Sequence, residues 1–475
     1  MSILTIKRHG TFKVKNSTKL IDCLAKNGIP IIATCGGKGR CGSCRVRIIT
    51  PQKPPDDRET LFIPQSALKQ GYRLACQHKI THDMTIDIPG LKKVKSTRLN
   101  ANYGLALDIG TTVIKGAAVN LKNGDIEKIC KVYNLQNSIG GDIITRVSAS
   151  IDGKYDILRK LLYSSLKQLK NCLGMQKPAI IIIVGNPVML SFYLHEPVNG
   201  FAQYPFTSNL NKGIFLKNPP RYVFPIIGGF VGGDTISGIL ASRMHKSGKN
   251  SLYIDLGTNG EVVLIRGKNI YAASTAAGPA FEGIGVDCGC LAIRGAIDQV
   301  SYSKGSLKFH TINKEKPIGL CASGLIDLLA ILLEQGILKD NGRLKHAVQL
   351  SWIDISQGDI RKLQLATGAI HSGIKILLNR ARIAPDRVDE AVITGEFGSK
   401  LSIKALIRIG LLPEGIQKIS FNKDLPLQGA IKAIQSNKIL NQLEEIRELS
   451  THIDLAAQPD FQEVFVSSLK LAPWN

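Results

Sequence analysis

Residues 104–117 read GLALDIGTTVIKGA, and the pattern returns over residues 252–264 as LYIDLGTNGEVVL. The shared core is Asp-Ile/Leu-Gly-Thr-Thr/Asn, starting at Asp108 and again 147 residues later at Asp255. Apolar residues lead into each copy, glycine turns it and a second apolar run comes after, so each reads as a β-hairpin. A turn of this composition can present N–H groups and hydroxyls to an anion. Each aspartate closes a buried strand, where a carboxylate is costly without a cation or donors. Two such hairpins facing one another would make a phosphate clamp with a metal-binding carboxylate on each side. One such string alone would carry little weight; its repetition carries much more.

Two other segments share an outline. AIIIIVGNPVML at 179–190 and EAVITGEFGSKL at 390–401 each read as a strand, a glycine turn and a helix. Each hairpin pairs with one of these later units, giving two half-domains of alternating strands and helices, an α/β architecture. Other glycine-rich strings are FPIIGGFVGGDTISG at 224–238 with Asp234, STAAGPAFEG at 274–283 with Glu282, and NLQNSIGGDIITR at 134–146 with Asp142 and Arg146. In IGLCASGLIDLLA at 318–330 a helix opens after Ser323 and Gly324, a start that can bind an anion. Each of these strings either covers a ligand or makes a packing turn. IDLLAILLEQGI at 326–337 reads as a core helix. There is no Walker G-x4-G-K-[ST] string, which excludes a P-loop ATPase, and no G-x-G-x-x-G after a strand, which argues against a nicotinamide or flavin domain.

The first 100 residues differ from the rest. They hold 19 Lys/Arg against 6 Asp/Glu, a net +13, and five of the ten cysteines. Cys35, Cys41 and Cys44 form a C-x5-C-x2-C run in ATCGGKGRCGSC, and Cys76 comes after 31 residues in GYRLACQ. Four thiolates suit an iron–sulfur cluster, and Gly36, Gly37, Gly39 and Gly42 let the backbone wrap closely and turn N–H groups toward the sulfurs. A four-thiolate zinc site would more often use two short C-x2-C pairs, and only one is present. Cys23, in the amphipathic STKLIDCLAKNG, reads as a core residue. A basic linker at about 91–102, containing Lys92, Lys93, Lys95 and Arg98, separates these residues from the remainder of the chain.

Over all 475 residues, 44% are hydrophobic and 21% charged, ordinary globular values that exclude general disorder. The net charge of +24 points to an anionic ligand or partner. No nucleic-acid recognition motif accompanies it, so no nucleic-acid partner is expected. The longest apolar run, Ala179–Val184, is far short of a membrane span, and MSILTIKRHG lacks an apolar signal core, so the reading is cytoplasmic with no membrane partner. In that compartment ten cysteines argue for metal or redox chemistry rather than disulfides.

Residues 1–90 resemble a [2Fe–2S] ferredoxin with a lengthened cysteine loop, which implies a β-grasp fold. Its strands would lie near 2–8, 11–15, 45–49 and 84–88, its helices near 17–27 and 57–69, and its ligands would be Cys35, Cys41, Cys44 and Cys76. Residues 103–475, with lobes of about 103–250 and 251–475, resemble the actin, Hsp70 and sugar-kinase superfamily of ATPases. That resemblance implies a first phosphate loop at Asp108, Gly110, Thr111 and Thr112, and a second at Asp255, Gly257, Thr258, Asn259, Gly260 and Glu261. It also implies an adenosine turn at Gly395, Glu396 and Gly398. Asp108 and Asp255 would hold Mg²⁺ or its waters, and Glu261 or Asp234 would position the attacking water.

The combination, carried by DIGTT, GFVGGD, DLGTNGE, STAAGPAFEG, GLCASG and GEFG in this order, resembles the reductive activators of corrinoid-dependent methyltransferases. Many members carry an extra domain between ferredoxin and ATPase, where this chain has only the short linker. The resemblance implies ATP-dependent transfer of one electron from the cluster to Co(II) on a partner corrinoid protein, regenerating Co(I), with a low-potential electron donor upstream. A homodimer is compatible with it. The competing reading is a small-molecule kinase with a regulatory cluster.

Overall fold

The structure, a computed structural model, describes the chain apart from residues 8, 30, 32, 34–36, 38, 40, 41, 43, 52, 89–98, 100, 101, 258, 396–400, 437 and 475. Cys35, Cys41, Thr258, Glu396, Gly398 and most of the basic linker therefore lie outside the described residues. The chain divides into two compact units, Met1–Ile180 with Val188–Tyr204, and Ile181–Pro187 with Pro205–Asn475. No helix among the described residues is long and apolar enough to cross a membrane.

The first unit opens with a five-stranded β-grasp sheet. Its order is Gly10–Val14, Ser2–Ile6, Met84–Asp87, Arg45–Ile48, Tyr72–Leu74. Ser2–Ile6 and Met84–Asp87 run parallel; the other pairs are antiparallel. Alternation along Ser2–Ile6 puts Leu4 and Ile6 in the core, against Leu20, Cys23 and Leu24 of the helix Leu20–Lys26. The helix expected over 57–69 is two, Asp57–Phe62 and Gln65–Lys69, because Pro64 cannot continue the first and instead caps the second. A short pair, Thr18–Lys19 with Lys79–Ile80, was not foreseen.

Further along this unit, Tyr103–Ile109, Val113–Asn120 and Ile126–Tyr133 form an antiparallel meander. Helix Tyr155–Leu173 packs on it through Leu158, Leu162, Leu166, Leu169 and Leu173, a stripe at helical spacing, and ends at Gly174 in the left-handed conformation. Here one expectation is corrected: Cys130 of the edge strand and Cys172 of this helix form a disulfide, with Cα atoms 6.1 Å apart. Strand-on-helix packing brings together two cysteines 42 residues apart, which a compartment argument has no means of seeing.

The second unit is built on a six-stranded sheet. Ser251–Leu256, Gly260–Arg266 and Asn269–Thr275 form an antiparallel meander, flanked by parallel strands Glu390–Gly395 and Lys418–Phe421 on one side and Ser450–His452 on the other. Helix Ala322–Glu334 is apolar on nearly every face and buried along most of its length, with Glu334 exposed at its end. The long helix Gln357–Ala381 opens with a capping box between Ser356 and Asp359. In it, His371 stacks on Trp474 with ring centroids 4.0 Å apart, and both rings bond the Gly410 carbonyl oxygen.

Burial lowers His371 from 6.5 to about 4, against the opposing bond to Gly410. The unfolded chain therefore takes up a proton between these values that the folded one refuses. Stability carried by neutral His371 is present above pH 6.5 and is lost as pH falls toward 4, up to about tenfold in the folding constant per pH unit. Tryptophan-fluorescence unfolding at pH 7 and pH 5 should show a larger acid-linked loss in the parent chain than in His371→Gln; equal losses would contradict the linkage.

Candidate functional site

At the cluster end, Cys44 and Cys76 are both buried, and the Ala75 N–H donates to the Cys44 carbonyl oxygen at 2.9 Å. Gln77 Nε2 lies 3.2 Å from the Cys76 sulfur, a donor that suits a thiolate. Gly42 sits at φ +65°, and a Cβ there would meet the Phe62 Cβ at 2.9 Å, so only glycine lets this loop close. Glu59, which sequence reasoning missed, braces the fourth-cysteine segment. Its carboxylate accepts from Leu74 N–H at 2.8 Å and meets His78 Nε2 at 2.9 Å. Burial acts to raise Glu59, yet these bonds outweigh it and hold the group below the usual carboxylate range. The described residues fit a cluster with anionic sulfurs; Cys35 and Cys41 lie outside them.

The first hairpin joins Tyr103–Ile109 to Val113–Asn120. Asp108, Thr111 and Thr112 are buried at its turn, and Asp108 lies directly across from Lys115, also buried. Lys115 was not singled out in the sequence. Its only signal was a cation in an otherwise apolar strand. The turn is held from behind by residues of the 134–146 string. Asn134 Nδ2 donates to Gly110 O at 3.1 Å, Arg146 Nη2 to Thr111 O at 2.7 Å and Asn137 Nδ2 to Thr112 O at 3.0 Å. Arg146 is fully buried, and burial lowers it to about 9 against the pull of Asp142.

The second hairpin joins Ser251–Leu256 to Gly260–Arg266, and here Asp255 lies directly across from Glu261. Side chains so paired point to the same face, about 5 Å apart at Cβ. Burial pushes Glu261 well above the ordinary carboxylate range, and the charges of Asp234 and Asp255 push it further; the Asn259 side chain opposes this. Asp234 stands in the first turn of helix Gly233–Ser242. A Cβ at Gly257 would lie 3.9 Å from both Asp255 Oδ1 and Glu282 Oε1, so a fourth carboxylate borders the turn. Gly260 admits no side chain: a Cβ would meet the buried Thr275 Oγ1 at 2.6 Å. Gly395 ends the adjoining parallel strand directly across from Leu256, which puts the start of the expected adenosine turn beside this hairpin.

The second unit thus gathers Asp234, Asp255 and Glu261, with Glu282 beside the turn. Glu261 is buried and the other three are partly exposed; carboxylates so crowded repel one another, and a divalent cation reverses that penalty. Among the described residues no three His, Cys, Asp or Glu side chains stand where they could hold a metal directly. Carboxylate oxygens are donors that suit a hard cation such as Mg²⁺, which keeps several of its own waters.

Three family models match successive parts of the chain. Residues 4–81 match the 2Fe-2S iron-sulfur cluster binding domain, 103–247 the RACo middle region, and 249–474 the C-terminal domain of RACo, the ASKHA domain. A solved structure titled reductive activator for corrinoid,iron-sulfur protein superposes with a TM-score of 0.71 at 26% identity, covering 100% of this chain and 99% of that one. Over its whole length the chain is similar to corrinoid reductive activators. The match to the RACo middle region, residues 103–247, carries the first hairpin. Among curated relatives, the corrinoid activation enzyme RamQ of Eubacterium limosum is 26% identical over 95% of this chain and 96% of its own. The Co(II) methylated amine-specific corrinoid protein reductase of Methanosarcina barkeri is 22% identical over 77% of this chain and 76% of its own. The chain has a 2Fe-2S ferredoxin domain at its N-terminal end and an ASKHA domain at its C-terminal end.

Proposed function

We propose that this protein passes one electron from a [2Fe–2S] cluster to Co(II) in a partner corrinoid protein, yielding Co(I), and that ATP hydrolysis drives the step. The observation that carries the reading is the end-to-end match, ferredoxin domain included, to relatives named for corrinoid activation and reduction. A low-potential donor in the cytoplasm refills the cluster, so that each Co(II) reduced consumes one donor electron.

Cys35, Cys41, Cys44 and Cys76 hold the cluster, which supplies one-electron chemistry at a potential near −400 mV for plant-type centres. Each hairpin turn binds phosphate oxygens: Gly110, Thr111 and Thr112 in one, Gly257, Thr258, Asn259 and Gly260 in the other. Gly395, Glu396 and Gly398 take the adenosine. Asp108 and Asp255 each hold Mg²⁺ or its waters, and Glu261 or Asp234 positions the attacking water. A two-state bias of about 5.5 kcal/mol corresponds to roughly 240 mV for one electron, enough to offset an unfavourable potential gap. The domain division at 1–90, 91–102 and 103–475 belongs to the same proposal.

The test is anaerobic absorbance of a corrinoid protein, with MgATP present, absent or replaced by a non-hydrolysable analogue. The Co(I) spectrum should develop only with hydrolysable ATP and a reductant. Equal reduction without ATP, or phosphorylation of a small metabolite, would overturn the reading.

A further inference from the structure

We infer that Arg146, with Asn134 and Asn137, is a positioning residue that sets the amide groups of the first hairpin turn to receive an anion. The inference rests on the proposed ATP chemistry. Three consecutive carbonyls of that turn are tied toward one side. Gly110 O accepts from Asn134 Nδ2 and Thr111 O from Arg146 Nη2, while Thr112 O accepts from both Asn137 Nδ2 and the Asn134 N–H at 3.0 Å. In a trans peptide the next N–H points opposite to its carbonyl. Fixing these three oxygens therefore aims the N–H groups of Thr111, Thr112 and Val113 away from the brace. Successive amides aimed together form a concave anion-binding surface.

The guanidinium adds charge to this geometry. Its five N–H donors have five partners, none a carboxylate: Gly140 O, Gln136 Oε1, Met189 Sδ, Thr111 O and Asn137 Oδ1. The nearby Asp142 carboxylate accepts instead from the N–H and hydroxyl of Thr145, capping the helix Ile143–Ala149. A buried cation hydrogen-bonded only to neutral groups is costly, and an anion seated on the turn would offset that cost. Lysine has the charge but one nitrogen with three donors, so it cannot hold Thr111 O and Asn137 Oδ1 while also keeping the ties to Gly140 O and Gln136 Oε1 that aim the guanidinium.

The experiment titrates the full-length protein with MgATP and, separately, with adenosine. Arg146→Lys should weaken MgATP binding about tenfold to hundredfold, the scale of one or two charge-assisted hydrogen bonds, and leave adenosine binding unchanged. A purely structural role would weaken both ligands alike, and that result, or unchanged MgATP binding, overturns the inference. Should Arg146→Lys fail to fold, Asn137→Ala is read instead. It removes the bond to Thr112 O and one acceptor of Arg146, and should weaken MgATP about three- to tenfold with adenosine unaffected; unchanged MgATP binding again overturns the inference. If the parent chain binds adenosine but not MgATP, the ATP reading itself has failed, a result distinct from either variant outcome.

Discussion

Asp255→Asn is expected to abolish ATP hydrolysis, leave the visible spectrum of the iron–sulfur cluster unchanged and raise the melting temperature of the second unit. The loss should be at least about a hundredfold in kcat, the scale of removing one group that organises developing charge. The stability gain has a separate origin. Asp255 lies across from Glu261, whose proton affinity is raised by burial and by the charges of Asp234 and Asp255. A neutral amide removes one repulsion, so the same change that ends activity relaxes the unit.

Asp108→Asn should also end hydrolysis, with the opposite effect on stability. It leaves the buried Lys115 without the carboxylate across from it, which costs about 3 kcal/mol when a buried ion loses its partner. Calorimetry and a phosphate-release assay on both variants check this. Full activity in both would refute the nucleotide site. Equal and opposite-to-expected shifts in melting temperature would refute the charge assignment.

Cys76→Ser should remove the cluster and with it all corrinoid reduction, while the expected ATP hydrolysis continues. The parent chain, purified without oxygen, should carry about two irons per chain, the number a [2Fe–2S] centre requires. The variant should carry far fewer, because a serine hydroxyl at neutral pH is a poor substitute for a thiolate. Cys76 is a sensitive position. It is buried, its sulfur faces the Gln77 amide at 3.2 Å, and its segment is pinned by Glu59 through Leu74 and His78. Iron and zinc analysis decides the matter: one zinc and no iron in the parent chain would end the redox reading altogether.

Much of the architecture was legible from local pattern. The two hairpins announced themselves because an apolar run, a glycine turn and a second apolar run fold in only one economical way. The core helix Ala322–Glu334 was legible because an apolar sequence without a polar face can only be buried. The break at Pro64 should have been read, since proline prevents continuation of a helix, and the amphipathic stretch around it masked the signal. Glu59 was illegible because a surface-type residue is turned inward only by partners 15 and 19 residues away.

By itself, the sequence determined that each hairpin ends in an aspartate beside a glycine turn, because strand alternation and turn chemistry act over a few residues. Only the tertiary structure decided what faces those aspartates. Four residues, 110–113, separate the pair Ile109–Ile114 in the first hairpin, and three, 257–259, separate Leu256–Gly260 in the second. One residue of turn length shifts the register, and a register shift changes the partner of every residue across the ladder. Asp108 therefore lies across from a lysine and Asp255 across from a glutamate, so two near-identical strings face opposite charges across their ladders. The disulfide between Cys130 and Cys172 and the brace of Arg146 on Thr111 have the same cause. Each depends on packing between segments tens of residues apart, which no local pattern encodes.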